Sequence, residues 1–161
     1  AQNMISAIPL TVAVLRPDNE TLAGLLAAAG LKIVFCDGLN TEMADSLSAA
    51  VRYALQFEES GDGFVIALAD MPFIQTHTIT AVADAIKAGA SIAAPVYLGQ
   101  RGHPVGFAAR HCHALAQLTG DEGARAILKR HPEEIRLIAC NDAGILADID
   151  TPADLAAGLP V

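Results

Sequence analysis

Short apolar runs alternate along this chain with stretches whose apolar residues recur every three or four positions, and that alternation leaves few architectures open. Pro9–Arg16 (PLTVAVLR), Lys32–Cys36 (KIVFC), Phe64–Ala69 (FVIALA) and Ser91–Tyr97 (SIAAPVY) are bounded by Gly, Asp or Pro. That is the form of strands covered on both faces. Ile135–Cys140 (IRLIAC) is a fifth candidate. Between them, Leu22, Leu25, Leu26 and Ala29 share one helical face, as do Leu47, Val51, Ala54 and Leu55, and then Ile79, Val82, Ala83 and Ile86. Leu115 and Leu118 suggest a short helix from about Arg110, and Asp121 is placed to cap a helix through Ala124, Ile127 and Leu128. Thr151-Pro152-Ala153-Asp154 puts Thr at the N-cap, Pro at the first helical position and Asp at the third, close to a capping box. Strands alternating with helices predict a mainly parallel α/β sheet with Phe64–Ala69 in its interior and ligands beyond the carboxyl ends of the strands.

Composition supports one such domain over residues 1–161. Hydrophobic residues make up 53% and charged residues 17% of 161, and the mean hydropathy is +0.41, enough apolar material for a core and too much for disorder. No apolar run approaches the roughly 18 residues of a membrane span. Ala1-Gln2-Asn3-Met4 lacks the basic start of a secretory signal, so the expectation is a cytoplasmic, soluble protein. A net charge of −8 is the wrong sign for gripping a phosphate backbone, which argues against nucleic acid as partner. Cys36, Cys112 and Cys140 are odd in number and widely spaced, the pattern of buried thiols rather than of disulfides or a zinc site. No repeat, linker or low-complexity tract divides the chain.

Chemistry is suggested at three places. FVIALADMP is an apolar strand ending in Asp70 and turned by Pro72, which would project a carboxylate into the ligand crevice to hold a hard cation such as Mg²⁺; capping of the next turn is the alternative. In ADIDTP, Asp148 and Asp150 fall on the same side if the segment is extended, and one of them could meet Asp70 across a metal; helix capping is the alternative there too. Between these acids, GQRGHPVGF reads as a turn between strands that concentrates Arg101 and His103 in an acidic chain, a local positive field for a phosphate or pterin-like anion; reversal of the chain alone is the alternative. In LTGDEGAR, Asp121 and Glu122 sit where an anion would, so capping is the expected role. His77, His111, His113 and His131 have no spacing with acids that suggests a metal set and read as solvated helix positions. No GxSxG, HExxH or Walker sequence occurs.

Taken in order, LADMPF (68–73), Thr78-Ile79, RGHPVGF (101–107), GDEGAR (120–125) and DIDTPADL (148–155) resemble the MobA-like nucleotidyltransferases, most nearly the branch of molybdenum cofactor cytidylyltransferases. The resemblance runs from about Thr11 to Leu155. It implies a Rossmann-like three-layer sandwich of the nucleotide-diphospho-sugar transferase type. It also implies transfer of CMP or GMP from CTP or GTP to molybdopterin, with Mg²⁺ and release of pyrophosphate. By motif match Asp70 would be the metal-binding and catalytic Asp, and Asp150, or else Asp148, the second acidic contact. GLNTEMADSL (38–47) would lie near the nucleotide with Ser46 in contact, and Arg101 and His103 would face the pterin.

The family's opening strand and Gly-rich LAAG-type loop, with its Arg and downstream Lys, have no counterpart before Pro9. The expectation is therefore a domain missing its first strand, incomplete at the N-terminus and with little or no transfer activity alone. Strand edges left open in this way would invite cover by another chain, such as a second copy, and the resemblance implies a molybdoenzyme as a further partner. Two other readings suit the same residues: a sugar-nucleotide transferase of this fold, and a catalytically silent module for cofactor delivery.

Overall fold

In a computed structural model, which describes residues 1–36, 42–57 and 61–157, each of the five apolar runs overlaps a strand. The elements in order are α1 (Gln2–Ala7), β1 (Val12–Leu15), α2 (Glu20–Ala28), β2 (Lys32–Phe35), α3 (Met43–Ala54), β3 (Gly63–Ile66) and α4 (Thr76–Lys87). Then come β4 (Ile92–Tyr97), β5 (Gln100–Arg101), β6 (Val105–Ala108), α5 (Cys112–Ala116), α6 (Arg125–Arg130), β7 (Ile135–Ala139) and α7 (Pro152–Ala157).

Strand β4 shows why the fold has three layers. Side chains alternate across a strand, and here both faces are buried: Ile92 and Ala94 pack with Val51 of α3, Leu115 of α5 and Ile127 of α6. Ala93, between them, meets Val82, Ala85 and Ile86 of α4 on the other side. Of the α4 stripe expected at Ile79, Val82, Ala83 and Ile86, all but the half-buried Ala83 are buried, and Ala85 is buried beside them. Helices thus cover both faces of the sheet, as a three-layer α/β sandwich demands.

The sheet is less parallel than the alternation suggests. β1 and β2 pair in parallel, as do β4 and β7, but β6 runs antiparallel between β3 and β4. A parallel return needs a crossover of about a dozen residues or more, and only residues 98–104 separate β4 from β6. RGHPVGF, read as a turn, is therefore half turn and half strand, with Val105 and Phe107 buried in the core. Nor is β3 interior to its ladder: it pairs with β6 alone among the described strands, and its residues are half-buried. β1–β2 forms a separate two-stranded sheet. Helix α3 packs on β1 and on α5, where Arg52 donates to the carbonyl of Ala116 at 2.9 Å.

Two helix starts differ from expectation. The N-cap of α6 is Ala124 rather than Asp121, while Glu122 is engaged by Lys129. The unanticipated α1 packs against α4, bringing Met4, Ala7 and Ile8 onto Ile79 and Met71. Among the described residues no helix is long and apolar enough to cross a membrane.

Phe107 is fully buried at the junction of β6 with α3, α5 and α6. Phe107→Ala is expected to lower unfolding free energy by about 3–5 kcal/mol, as aromatic truncations in cores do, measured by urea denaturation. A loss under ~1 kcal/mol would contradict this packing.

Candidate active site

Three loops meet beyond the carboxyl end of β3, and the glycines at their contacts explain how closely. A Cβ on Gly102 would lie 2.1 Å from the carbonyl oxygen of Ile145, and one on Gly144 would lie 2.4 Å from that of Phe73. Neither distance is compatible with a side chain, so the backbones of 70–75, 101–104 and 142–149 approach as only glycine permits. Gly102 N–H donates to Pro95 at 3.0 Å and His103 N–H to Ile145 at 3.0 Å. The His103–Pro104 peptide bond is cis.

Behind these loops lies Asp142, 1% exposed. Its Oδ2 accepts from Gln75 N–H at 2.9 Å and from the Thr78 hydroxyl at 2.6 Å, and its Oδ1 accepts from Gly144 N–H at 3.0 Å. A buried carboxylate is tolerable when donors surround it, and these three tie the start of α4 to the 3₁₀ turn at 143–146. Nothing in the sequence flags the pairing, because Asn141-Asp142-Ala143-Gly144 reads as an ordinary turn.

The two acidic motifs come together on this platform. Ile149 N–H donates to the carbonyl of Asp70 at 2.8 Å, so the DID segment runs against the turn that follows β3. Ile149 is half-buried while Asp148, Asp150 and Asp70 are exposed, the outward alternation expected of the two flanking acids. The capping box that starts α7 forms: Thr151 N–H donates to Asp154 Oδ2 at 2.7 Å and Asp154 N–H to Thr151 Oγ1 at 3.3 Å. The hydrogen bond from the Thr151 hydroxyl, with that from its N–H, holds the Asp154 carboxyl below its usual range.

His103 belongs to the same group. Burial pushes its imidazole below the ordinary 6.5; the Asp70 carboxylate pulls it upward and Arg101 pushes it down. Its Nδ1 is buried without a hydrogen-bond partner among the described residues. Asp70, Arg101 and His103 are thus electrostatically coupled, a carboxylate beside a neutral imidazole and an exposed guanidinium. Hard carboxylate oxygens suit Mg²⁺ or Mn²⁺. Asp70, Asp148 and Asp150 do not by themselves converge as three ligands; the grouping that does, among the described residues, is elsewhere, at His131, Glu133 and Glu134.

Ser46, on the first turns of α3, is half-buried and lines a different cavity of about 220 Å³ at the carboxyl ends of β1 and β2, with Val14, Leu15, Arg16, Cys36, Glu42 and Met43. Residues 38–41 of the GLNTEMADSL segment lie outside the described residues. Helix α3 begins with a capping box from Glu42 to Asp45, where Glu42 N–H donates to Asp45 Oδ2 at 3.1 Å.

The histidines correct a sequence expectation. His111 is not solvated: it is 6% exposed, its Nε2 lies 2.9 Å from the Ser91 hydroxyl, and burial lowers its pKa below 6.5. His131 Nδ1 lies 2.9 Å from Glu134 Oε1. The HPEE spacing is open to view, but two- and three-residue offsets converge only in the 3₁₀ turn that Pro132 begins.

Residues 2–135 match the family model of the MobA-like NTP transferase domain. A curated relative, "Purine catabolism protein PucB" of Bacillus subtilis (strain 168), is 34% identical over 121 residues, which are 74% of this chain and 57% of PucB. The chain thus spans just over half the length of that relative. Among solved structures, Rv0371C of Mycobacterium tuberculosis H37Rv in complex with manganese superposes with a TM-score of 0.70 at 23% identity, over 93% of this chain and 77% of that one. Molybdopterin-guanine dinucleotide biosynthesis protein A of Archaeoglobus fulgidus gives 0.59 at 18% identity, over 98% and 82%. These likenesses establish the NTP transferase fold.

Two outcomes follow from the site's geometry. Asp142→Ala leaves three donors without their acceptor and is expected to cost about 3 kcal/mol or more, at 1–3 kcal/mol for each unsatisfied group, read as a lower urea midpoint. In an NMR titration the His103 imidazole is expected to protonate with a midpoint below 6.5. Asp70→Asn removes the charge that favours the imidazolium, so the midpoint should fall further; a rise would refute the coupling.

Proposed function

This chain belongs to the MobA-like NTP transferase family, and from that premise we propose that it transfers a nucleotidyl group, CMP or GMP, from CTP or GTP to the phosphate of a molybdopterin-type acceptor. An acceptor phosphate oxygen attacks the α-phosphorus, the bond to the β-phosphate bridging oxygen breaks, and pyrophosphate leaves. Such a reaction asks for alignment and charge neutralisation rather than a covalent nucleophile.

The observation that carries this reading is the bond from Ile149 N–H to the Asp70 carbonyl, which joins both acidic motifs beside the Arg101–His103 loop. Asp70 and Asp150, with Asp148 as the alternative, would hold Mg²⁺, which when bound neutralises phosphate charge and fixes the triphosphate. Arg101 offers a guanidinium to an anionic acceptor. His103, kept neutral by burial, can donate or accept a hydrogen bond there without adding charge. Ser46 and its cavity at the ends of β1 and β2 suit a contact to the nucleotide. Residues 1–161 act as one domain in this scheme. The choice of a pterin acceptor follows the Archaeoglobus protein of the same fold, which is named for molybdopterin-guanine dinucleotide biosynthesis.

The test is calorimetric binding of CTP and of GTP with and without Mg²⁺. Asp70→Asn is expected to weaken Mg²⁺-dependent binding at least tenfold. In a protein extended upstream by the family's Gly-rich loop, it should also reduce pyrophosphate release with molybdopterin as acceptor by about 10²–10³, the usual cost of removing one preorganised electrostatic group. Binding that is independent of Mg²⁺ and indifferent to Asp70→Asn would reject the assignment.

A further inference from the structure

At the opposite end of β4 from the Arg101 loop, Ser91, Arg110, His111, His131, Glu133 and Glu134 converge, and the proposed transfer uses none of them. Ser91 immediately precedes β4, Glu134 immediately precedes β7, and these strands pair in parallel, so both residues mark the amino ends of neighbouring strands. His131, Glu133 and Glu134 each offer one ligand atom within 4.8 Å of the others.

We propose that His131, Glu133 and Glu134 form a binding site for a divalent transition-metal ion of the Zn²⁺ class, separate from the nucleotide crevice. An imidazole nitrogen with two carboxylates is a donor set for Zn²⁺ and its neighbours rather than for Mg²⁺ or Ca²⁺, which take oxygen ligands. His131 Nδ1 and Glu134 Oε1 stand 2.9 Å apart, close to the spacing of two ligands on one ion at about 2.0–2.2 Å. Insertion of the ion replaces the hydrogen bond between them, and His131 presents a deprotonated nitrogen.

The two carboxylate oxygens of Glu134 have different surroundings. Oε1 faces His131, whereas Oε2 is held from behind by the hydroxyl of Ser91, which is 7% exposed, and has Arg110 Nη2 at 3.6 Å. Arg110 in turn donates from Nε to Ser91 at 2.8 Å. The His131 ring rests edge-on against buried His111, with centroids 5.4 Å apart. One ligand oxygen and one ligand ring are therefore oriented by groups that do not touch the ion, the kind of support that sets metal affinity. Glu133 is exposed and can close on the ion from the solvent side.

The experiment uses tag-free full-chain protein freed of metal by a chelator, titrated with Zn²⁺ against a chromophoric competitor at pH 7.5. One equivalent is expected to bind; His131→Ala and Glu133→Gln should each weaken it at least tenfold, and Ser91→Ala by about 10–100-fold. Asp70→Asn should leave this binding unchanged. The Co²⁺ form should lack thiolate charge-transfer absorption. Because Glu133 is exposed, Glu133→Gln tests the site even where His131→Ala compromises folding, which circular dichroism of the metal-free variants reports. No uptake of Zn²⁺, uptake unaffected by Glu133→Gln, loss of uptake in Asp70→Asn, or a thiolate signature would each overturn the proposal.

Discussion

The carboxylate of Asp142 is the constraint on which the crevice depends. A charge with 1% exposure persists in a protein interior only if donors replace its hydration. Here the donors come from two parts of the chain, Gln75 and Thr78 at the start of α4 and Gly144 in the 3₁₀ turn. One side chain thus sets the distance between α4 and the segment that continues into Asp148 and Asp150. The acidic motifs need no contact of their own carboxylates to be aligned; a single backbone bond from Ile149 to Asp70 completes the register. The exposed acids are left without internal duties, which suits groups whose proposed task is to meet a ligand.

What is legible in the sequence is what depends on near neighbours. The apolar runs give strands, and the stripes of α3 and α4 become helices that bury most of the expected face, whereas α2 forms with Leu22 and Leu25 of its stripe exposed. The Thr151–Asp154 capping box forms because both halves lie within one turn. Illegible are features whose partners lie far along the chain. Val105–Ala108 follows Gly and Pro and looks like the tail of a turn, yet it becomes a strand because β3 and β4 both present edges to it. Asp142 resembles a surface turn residue until Thr78 is brought to it. His111 reads as solvated because Ser91 becomes its partner only after β4 is in place.

The nucleotide-proximal and acceptor-proximal parts of the proposed site rest on different sheets. Ser46 and its cavity stand at the ends of β1 and β2, whereas Asp70, Arg101 and His103 belong to the ladder built on β3, β6 and β4. The connection between them runs through helix α3, which packs on β1 and on α5. Its register is held by the Glu42–Asp45 box at one end and by Arg52 on the Ala116 carbonyl toward the other. A shift of α3 would therefore change the separation of the two parts without altering either one's internal geometry.

Gly102 and Gly144 carry a consequence for how this crevice can vary. Each is a place where a carbonyl oxygen occupies the space that any other residue would need, at 2.1 Å and 2.4 Å. Asp148, Asp150 and Arg101 stand in solvent and can be exchanged without disturbing the loops beneath them. Chemical repertoire and mutational tolerance are thus partitioned between different residues: the crevice can explore new ligands through its exposed side chains while its shape is inherited through two positions that bear no functional group at all. In a library of variants, the silent glycines would be the least replaceable residues and the charged ones the most informative.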